Sequence, residues 1–112
     1  MDILFRDDRL KRLCNERKKT VKKWGPKVAK KIRQRLDELH DAADLEVMAL
    51  LQIGRFHELA GAQRGTFTLD VSGALRLVFE PAHEPVPRQP DGGIDLRQVT
   101  AVRILGVEDT HG

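Results

Sequence analysis

The sequence is poor in cysteine and contains no long apolar run, and both absences exclude broad classes of protein. Its one cysteine, Cys14, cannot form an intramolecular disulfide and has no second thiol with which to complete a metal or redox motif. No apolar stretch approaches the roughly 18 residues that cross a bilayer, and the charged N-terminus lacks the apolar segment of a signal peptide. We therefore expect a cytoplasmic protein, folded as one domain over residues 1–112.

Positive charge is concentrated at one end of the chain. Residues 1–35 carry 14 basic and 4 acidic side chains, a local net charge of +10. The remaining residues carry 6 basic and 13 acidic side chains, a local net charge of −7. A field this asymmetric favours a polyanionic partner, either a nucleic acid or an acidic protein, over a merely solvated helix face.

Apolar residues at helical spacing predict two amphipathic helices, over residues 8–24 and 26–42, which meet at Gly25-Pro26. We expect Trp24, the only tryptophan, to fill the corner between them rather than to stack on a base. Cys14 lies on the apolar face of the first helix, so its expected role is packing. The other predicted elements of this half are N-caps at Asp7 and Asp8, a strand over Asp2–Phe5, and a helix over residues 44–51 with Leu45, Met48, Ala49 and Leu51 inward.

Apolar and polar residues alternate from Thr66 to Phe79 around Ser72-Gly73, which predicts a β-hairpin. A three-residue loop places Leu69 beside Leu77 and leaves Arg76 on the face that the helices do not cover, whereas a two-residue loop mixes core and charge. A proline-rich surface loop then leads to a central strand over residues 98–107. The predicted fold is α+β, with an N-terminal helical pair packed on one face of a small twisted, mainly antiparallel sheet.

Three polar side chains from separate segments are candidates for a common site: His57, Arg76 and His111. A neutral imidazole can take the proton of a ribose 2′-hydroxyl, and a second group can protonate the leaving oxygen. An arginine offers paired donors to the phosphate as charge builds on it. These residue types therefore suit the cleavage of a phosphodiester in RNA.

The stretches KKWGPKVAKKIRQRLDEL, FHELAG, GTFTLDVSGALRLVFEPA, DGGIDL, VTAVRI and VEDTHG resemble, in this order, the RelE/ParE superfamily. Within it they are similar to the HigB-like killer proteins of type II toxin–antitoxin systems. The resemblance implies a RelE-like α+β toxin, an endoribonuclease (mRNA interferase) that cleaves messenger RNA on the ribosome. It also implies attack by the 2′-hydroxyl on the adjacent phosphate, with no metal or other cofactor.

By position, the resemblance assigns catalytic roles to His57, Arg76, Asp109 and His111. One histidine would act as general base and the other as acid, without the sequence deciding which. Arg76 would stabilise the phosphate, and Asp109 would orient or help to charge an imidazole. Two positions depart from the family pattern: Ala60 stands where a lysine is usual, and Thr110 where a tyrosine is usual. Arg55 or Arg64 would have to replace the missing cation. The candidate RNA-binding residues are Arg55, Arg64, Lys22, Lys23, Lys27 and Lys30.

The resemblance further implies a cognate antitoxin, a HigA-like helix-turn-helix protein, as partner beside messenger RNA and the ribosome. Operator DNA would be bound only through the complex with that antitoxin. Two other functions remain open. The first is a catalytically decayed family member that binds antitoxin and operator, which Ala60 and Thr110 favour. The second is a ParE-type inhibitor of DNA gyrase, against which the set of His57, Arg76, Asp109 and His111 argues, because that activity does not need it.

Overall fold

Four α-helices and a five-stranded mixed sheet make up the computed structural model, which describes residues 1–109. The predicted α+β class is confirmed. The helices are α1 Asp8–Asn15, α2 Arg17–Trp24, α3 Pro26–Asp41 and α4 Leu45–Leu50, and the strands are β1 Asp2–Phe5, β2 His57–Glu58, β3 Phe67–Ser72, β4 Leu75–Pro81 and β5 Ala101–Asp109. Short 3-10 turns occur at Ile53–Arg55, Gly61–Gln63 and Leu96–Gln98.

The single helix predicted over residues 8–24 is wrong, because Glu16 adopts an extended conformation and divides it into α1 and α2. The apolar stripe skips a turn there, since Arg17 and Lys18 occupy the positions at which it would continue. The buried Thr20 hydroxyl donates to the carbonyl of Leu13 at 2.6 Å, which satisfies an acceptor that the break leaves without its helical partner.

The corner between α2 and α3 forms as predicted. Gly25 has a positive φ of 86°, a conformation that favours glycine, and Pro26 occupies the first turn of α3. Trp24 is half-buried against the core, in agreement with its predicted packing role. In α4, Leu45 and Met48 point inward, but the inward position predicted for Leu51 is wrong, since the helix ends at Leu50 and Leu51 is exposed.

The sheet has the order β1-β5-β4-β3-β2. Only β1 and β5 pair in parallel, and the other neighbours are antiparallel. Strand β5 has a strand on each side, but the central strand of the five is β4 and not β5 as predicted, and β5 runs over Ala101–Asp109 rather than 98–107. The link containing His57 contributes β2, a short edge strand that the sequence pattern did not predict.

The register of the β3–β4 hairpin is the predicted one, with Leu69 opposite Leu77 and Asp70 opposite Arg76. The predicted three-residue loop is wrong, because a bulge between Asp70 and Ser72 lets Ser72 pair with Leu75 and leaves only Gly73 and Ala74 at the tip. The helix-facing side chains of this hairpin are therefore apolar, and its charged ones lie on the other face.

The core lies between the helices and one face of the sheet. Three phenylalanines form its centre: Phe67 stacks on Phe56 and Phe79, with ring centroids 5.1 and 5.9 Å apart. Cys14 is buried at its edge, and burial raises the pKa of that thiol to about 11, so the group packs as an apolar side chain. No helix within residues 1–109 combines the length and apolarity that a membrane span requires.

The structure predicts a large penalty for truncating the helix side of this core. Leu36 in α3 is 1% exposed, so Leu36→Ala should lower the free energy of unfolding by about 2–5 kcal/mol through reduced burial and cavity formation. Leu50 is 75% exposed, and Leu50→Ala should change it by less than about 0.5 kcal/mol. Urea unfolding followed by circular dichroism measures both, and equal decreases would contradict the described packing.

The N-cap of α1 predicts a pH-dependent contribution to stability. The Leu10 amide donates to the Asp7 carboxylate at 2.8 Å, which lowers the pKa of that carboxyl from its usual 3.8, with a smaller contribution from Arg6. Because the folded pKa lies below the unfolded one, the contribution is complete above the unfolded pKa and disappears as the pH falls through the folded pKa. Asp7→Ala should therefore have a lower Tm than the wild type at pH 7. This Tm difference should disappear in strong acid.

Thermal unfolding of wild type and Asp7→Ala between pH 7 and pH 2 measures the difference. Asp8→Ala is the matched control, since it removes an equal charge from the first turn of α1 while leaving the capping hydrogen bond in place. A Tm difference for Asp7→Ala that stays constant across this range would contradict the role of the carboxylate.

Candidate active site and basic groove

Strand alternation places Arg76, Val78 and Glu80 on the sheet face turned away from the helical core, here called the open face. Two ion-paired rows cross it: Asp70 opposes Arg76, and Glu80 opposes Arg103 at 3.1 Å. A row of smaller, buried side chains that includes Thr68 and Val78 lies between them. The open face therefore carries two rows of paired charges, separated by a row without charge.

Asp70 stands between two arginines. Its Oδ1 is 2.8 Å from Nε of Arg76, and its Oδ2 is 3.6 Å from Nη1 of Arg55. Arg76 also donates through Nη1 to the carbonyl of Gly73 at 2.6 Å, which orients its guanidinium along the hairpin tip. The Arg76 side chain is 23% exposed and that of Arg55 is 84% exposed. Arg76 is thus held by several contacts, whereas Arg55 extends into solvent.

Asp70 is itself fixed from the helix side of the sheet. Arg35 of α3 donates through Nε to the Asp70 carbonyl at 2.7 Å and through Nη1 to Glu38 at 2.8 Å. Gly54 allows this contact, because a Cβ there would lie only 3.0 Å from Nε of Arg35. A line of polar contacts therefore connects α3 with the open face.

His57 is exposed and shares the open face with Arg76. It opposes Thr68 across β2 and β3, so it is a diagonal neighbour of Asp70 at roughly 7–8 Å. Strand spacing and rise put the Cα atoms of His57 and Arg76 roughly 12 Å apart. The structure therefore places two of the predicted site residues on the same face of the sheet.

The remaining catalytic candidates lie at the end of β5. Glu108 opposes Arg76, and Asp109 opposes Leu75, so alternation directs Asp109 to the other face of the sheet from Arg76. His111 and Thr110 lie outside the described residues. The structure thus does not bring Asp109 and Arg76 onto a common face.

The two candidates for the missing cation differ in position. Ala60 and Arg64 flank the exposed turn Gly61–Gln63 beyond β2. Arg55 instead reaches the carboxylate that also binds Arg76. Of the two, Arg55 is the cation that the structure places beside the predicted phosphate-binding arginine.

A groove of about 910 Å³ lies between the helices α1 and α2 and the C-terminal half of β5. Lys22 and Lys23 line it, whereas Lys27 and Lys30 are exposed on α3 and do not. The Lys23 ammonium lies 5.3 Å from the ring centroid of Trp24, which also lines the groove. The other charged lining residues, none of which the sequence assigned to RNA binding, are Arg6, Asp7, Arg9, Arg12, Lys19 and Glu108.

The basic groove adjoins the open face at β5. Glu108 lines the groove and also opposes Arg76 in the sheet. Only the break at Glu16, which the helical periodicity did not reveal, sets α1 and α2 as separate walls of this groove. A chain of phosphates lying in the groove can therefore continue toward Arg76.

A scan against protein-family models finds no match to this sequence, and a search of curated proteins finds no relative.

The groove predicts that position, and not only charge, decides polyanion binding. Lys22→Glu/Lys23→Glu should weaken the binding of a single-stranded RNA oligonucleotide more than Lys27→Glu/Lys30→Glu, which changes the charge equally outside the groove. Each lysine–phosphate interaction that is removed should reduce the steepness of log K against log salt by about 0.7. Fluorescence anisotropy from 50 to 300 mM salt measures both quantities. Equal effects of the two pairs would exclude the groove as the binding surface.

Proposed function

We propose that this protein is the toxin of a type II toxin–antitoxin system, a HigB-like member of the RelE/ParE superfamily that cleaves messenger RNA on the ribosome. The observation that carries the proposal is the shared open face of His57 and Arg76, which borders a groove lined by basic side chains. The α+β fold is compatible with a RelE-like arrangement, and the residue pattern that resembles the family supplies the assignment. The proposed site of action is the cytoplasm.

In the proposed reaction, the ribose 2′-hydroxyl attacks the adjacent phosphorus and the bond to the 5′-oxygen breaks. One histidine takes the proton of the hydroxyl and the other gives a proton to the leaving oxygen, so the products are a cyclic phosphate and a free 5′-hydroxyl. His57 and His111 are the proposed pair. This chemistry needs no metal, because the charge on the phosphate is stabilised by guanidinium groups.

Arg76 is the proposed phosphate ligand, and Arg55 takes the part of the cation that Ala60 lacks. Both guanidinium groups reach Asp70, so a phosphate beside that carboxylate would lie within range of both. Lys22 and Lys23 would hold the flanking RNA or ribosomal RNA in the groove. The cognate antitoxin, proposed to be a helix-turn-helix protein, would silence the toxin and connect it to operator DNA.

One observation favours a second candidate function, that of a catalytically decayed protein that binds only its antitoxin and the operator. Arg76 is already paired with Asp70 and lies opposite Glu108, which reduces the positive potential that it offers to a phosphate. Ala60 and Thr110 point in the same direction. Restoring lysine at Ala60 and tyrosine at Thr110 should then create toxicity that the native chain lacks.

Cleavage of a defined messenger RNA by the purified protein, with and without ribosomes, tests the proposed function. His57→Ala, Arg76→Ala and His111→Ala should each reduce cleavage, by about 10²–10⁴-fold where general acid–base catalysis is removed. The products should end in cyclic phosphate and 5′-hydroxyl.

His40→Ala and Arg103→Ala are the matched controls. His40 is exposed on α3, and Arg103 pairs with Glu80 on the same open face as Arg76. Both controls should cleave at close to the wild-type rate. A folded wild-type protein that leaves messenger RNA intact in both conditions would support the binding protein instead.

A further inference from the structure

We infer that Asp70 is a positioning residue of the proposed nuclease: it holds Arg76 in the orientation that receives the scissile phosphate. This inference rests on the proposed function and extends it to a residue that neither acts as acid or base nor contacts RNA. Its basis is the ion pair of 2.8 Å between Oδ1 of Asp70 and Nε of Arg76, at directly opposed positions of β3 and β4.

The contacts of Arg76 restrain its guanidinium at two of its nitrogens. Nε lies 2.8 Å from Oδ1 of Asp70 in an ion pair, and Nη1 donates to the carbonyls of Gly73 and Leu75. The planar group is thereby held in the orientation that the proposal assigns to phosphate binding.

The backbone of Asp70, which carries this carboxylate, is restrained in turn. Arg35 binds the Asp70 carbonyl at 2.7 Å from the helix side, and Arg35 is held by Glu38. Arg35 is 13% exposed, which makes this a partly desolvated contact and not a loose surface pair. Asp70 thus connects α3, through Arg35, with Arg76 on the open face.

Holding Arg76 with a carboxylate has two opposite effects on the reaction. A pre-oriented guanidinium meets the transition state without losing side-chain freedom, which raises kcat. The negative charge of Asp70 also repels the RNA backbone, which raises KM. Asp70→Asn should therefore lower kcat and also lower KM. The loss of a residue with only a structural role would not lower KM.

The test compares the kinetics of Asp70→Asn with those of Glu80→Gln in the messenger RNA assay. Glu80 is the matched control, because it is a carboxylate on the same face that pairs with an arginine at a similar distance, 3.1 Å, further along β4. Asp70→Asn should lose at least about tenfold in kcat, within the 10²-fold that a misplacement of 1 Å costs. Glu80→Gln should keep kcat.

Asp70→Glu keeps the charge and should recover part of kcat together with the wild-type KM. Thermal unfolding of Asp70→Asn, Asp70→Glu and Glu80→Gln shows whether a loss of kcat comes with a loss of stability. A loss of kcat at unchanged stability is an effect on positioning and not on folding. A kcat of Asp70→Asn no lower than that of Glu80→Gln, or a raised KM, would overturn the inference.

A spectroscopic measurement decides the inference even without activity. The arginine Nε–H signals of the ¹⁵N-labelled protein are recorded, and that of Arg76 is identified by its disappearance in Arg76→Lys. The Nε chemical shift of Arg76 should change in Asp70→Asn, which removes the negative charge 2.8 Å from Nε, and should stay unchanged in Glu80→Gln. If the wild type cleaves no RNA, the proposed function fails on that result alone. An Arg76 signal that Asp70→Asn leaves unchanged would instead overturn the role of Asp70.

Discussion

Burial of Leu69 beside Leu77 fixes the register of the β3–β4 hairpin, and the arrangement of the open face depends on that register. Because side chains alternate along a strand, the same pairing sets Asp70 opposite Arg76 and turns both away from the core. A slip by one residue would bury the charges and expose the leucines. The hydrophobic core therefore positions the candidate site although none of its side chains takes part in the proposed chemistry.

The elements that the sequence predicted well are those governed by local rules. Helix α3, the Gly25-Pro26 corner and the hairpin parity follow from periodicity, backbone preference and the alternation of apolar residues. The break at Glu16 was not predicted, because helical periodicity does not show the hydrogen bond from Thr20 to the Leu13 carbonyl that accompanies it. Strand β1 was predicted over Asp2–Phe5, but its parallel pairing with β5 was not. The short strand β2, which pairs with β3, was not predicted either.

In the candidate site, too, local sequence patterns predicted some features, and others depend on contacts that only the structure shows. His57 and Arg76 were named as candidates from residue type, and the predicted hairpin already put Arg76 on the face that the helices do not cover. The preference for Arg55 over Arg64 required the contact with Asp70, which no spacing rule contains. The walls of the groove come from α1, α2 and β5, which lie far apart in the sequence, so composition predicted its charge but not its location.

Charge has different uses on the two surfaces, and this separates the capture of a polyanion from the alignment of one of its phosphates. On the open face, Arg76 and Arg103 are paired with carboxylates at 2.8 and 3.1 Å, which restrains their orientation and reduces their potential, whereas Arg55 extends into solvent. In the groove, Lys22 and Lys23 have no ion-pair partner among the described residues, so their potential extends into solvent. An arginine that also had to attract RNA from solution would gain nothing from a carboxylate at its side. An arginine that receives a phosphate already held nearby benefits from being fixed, because less side-chain entropy is then lost in the transition state.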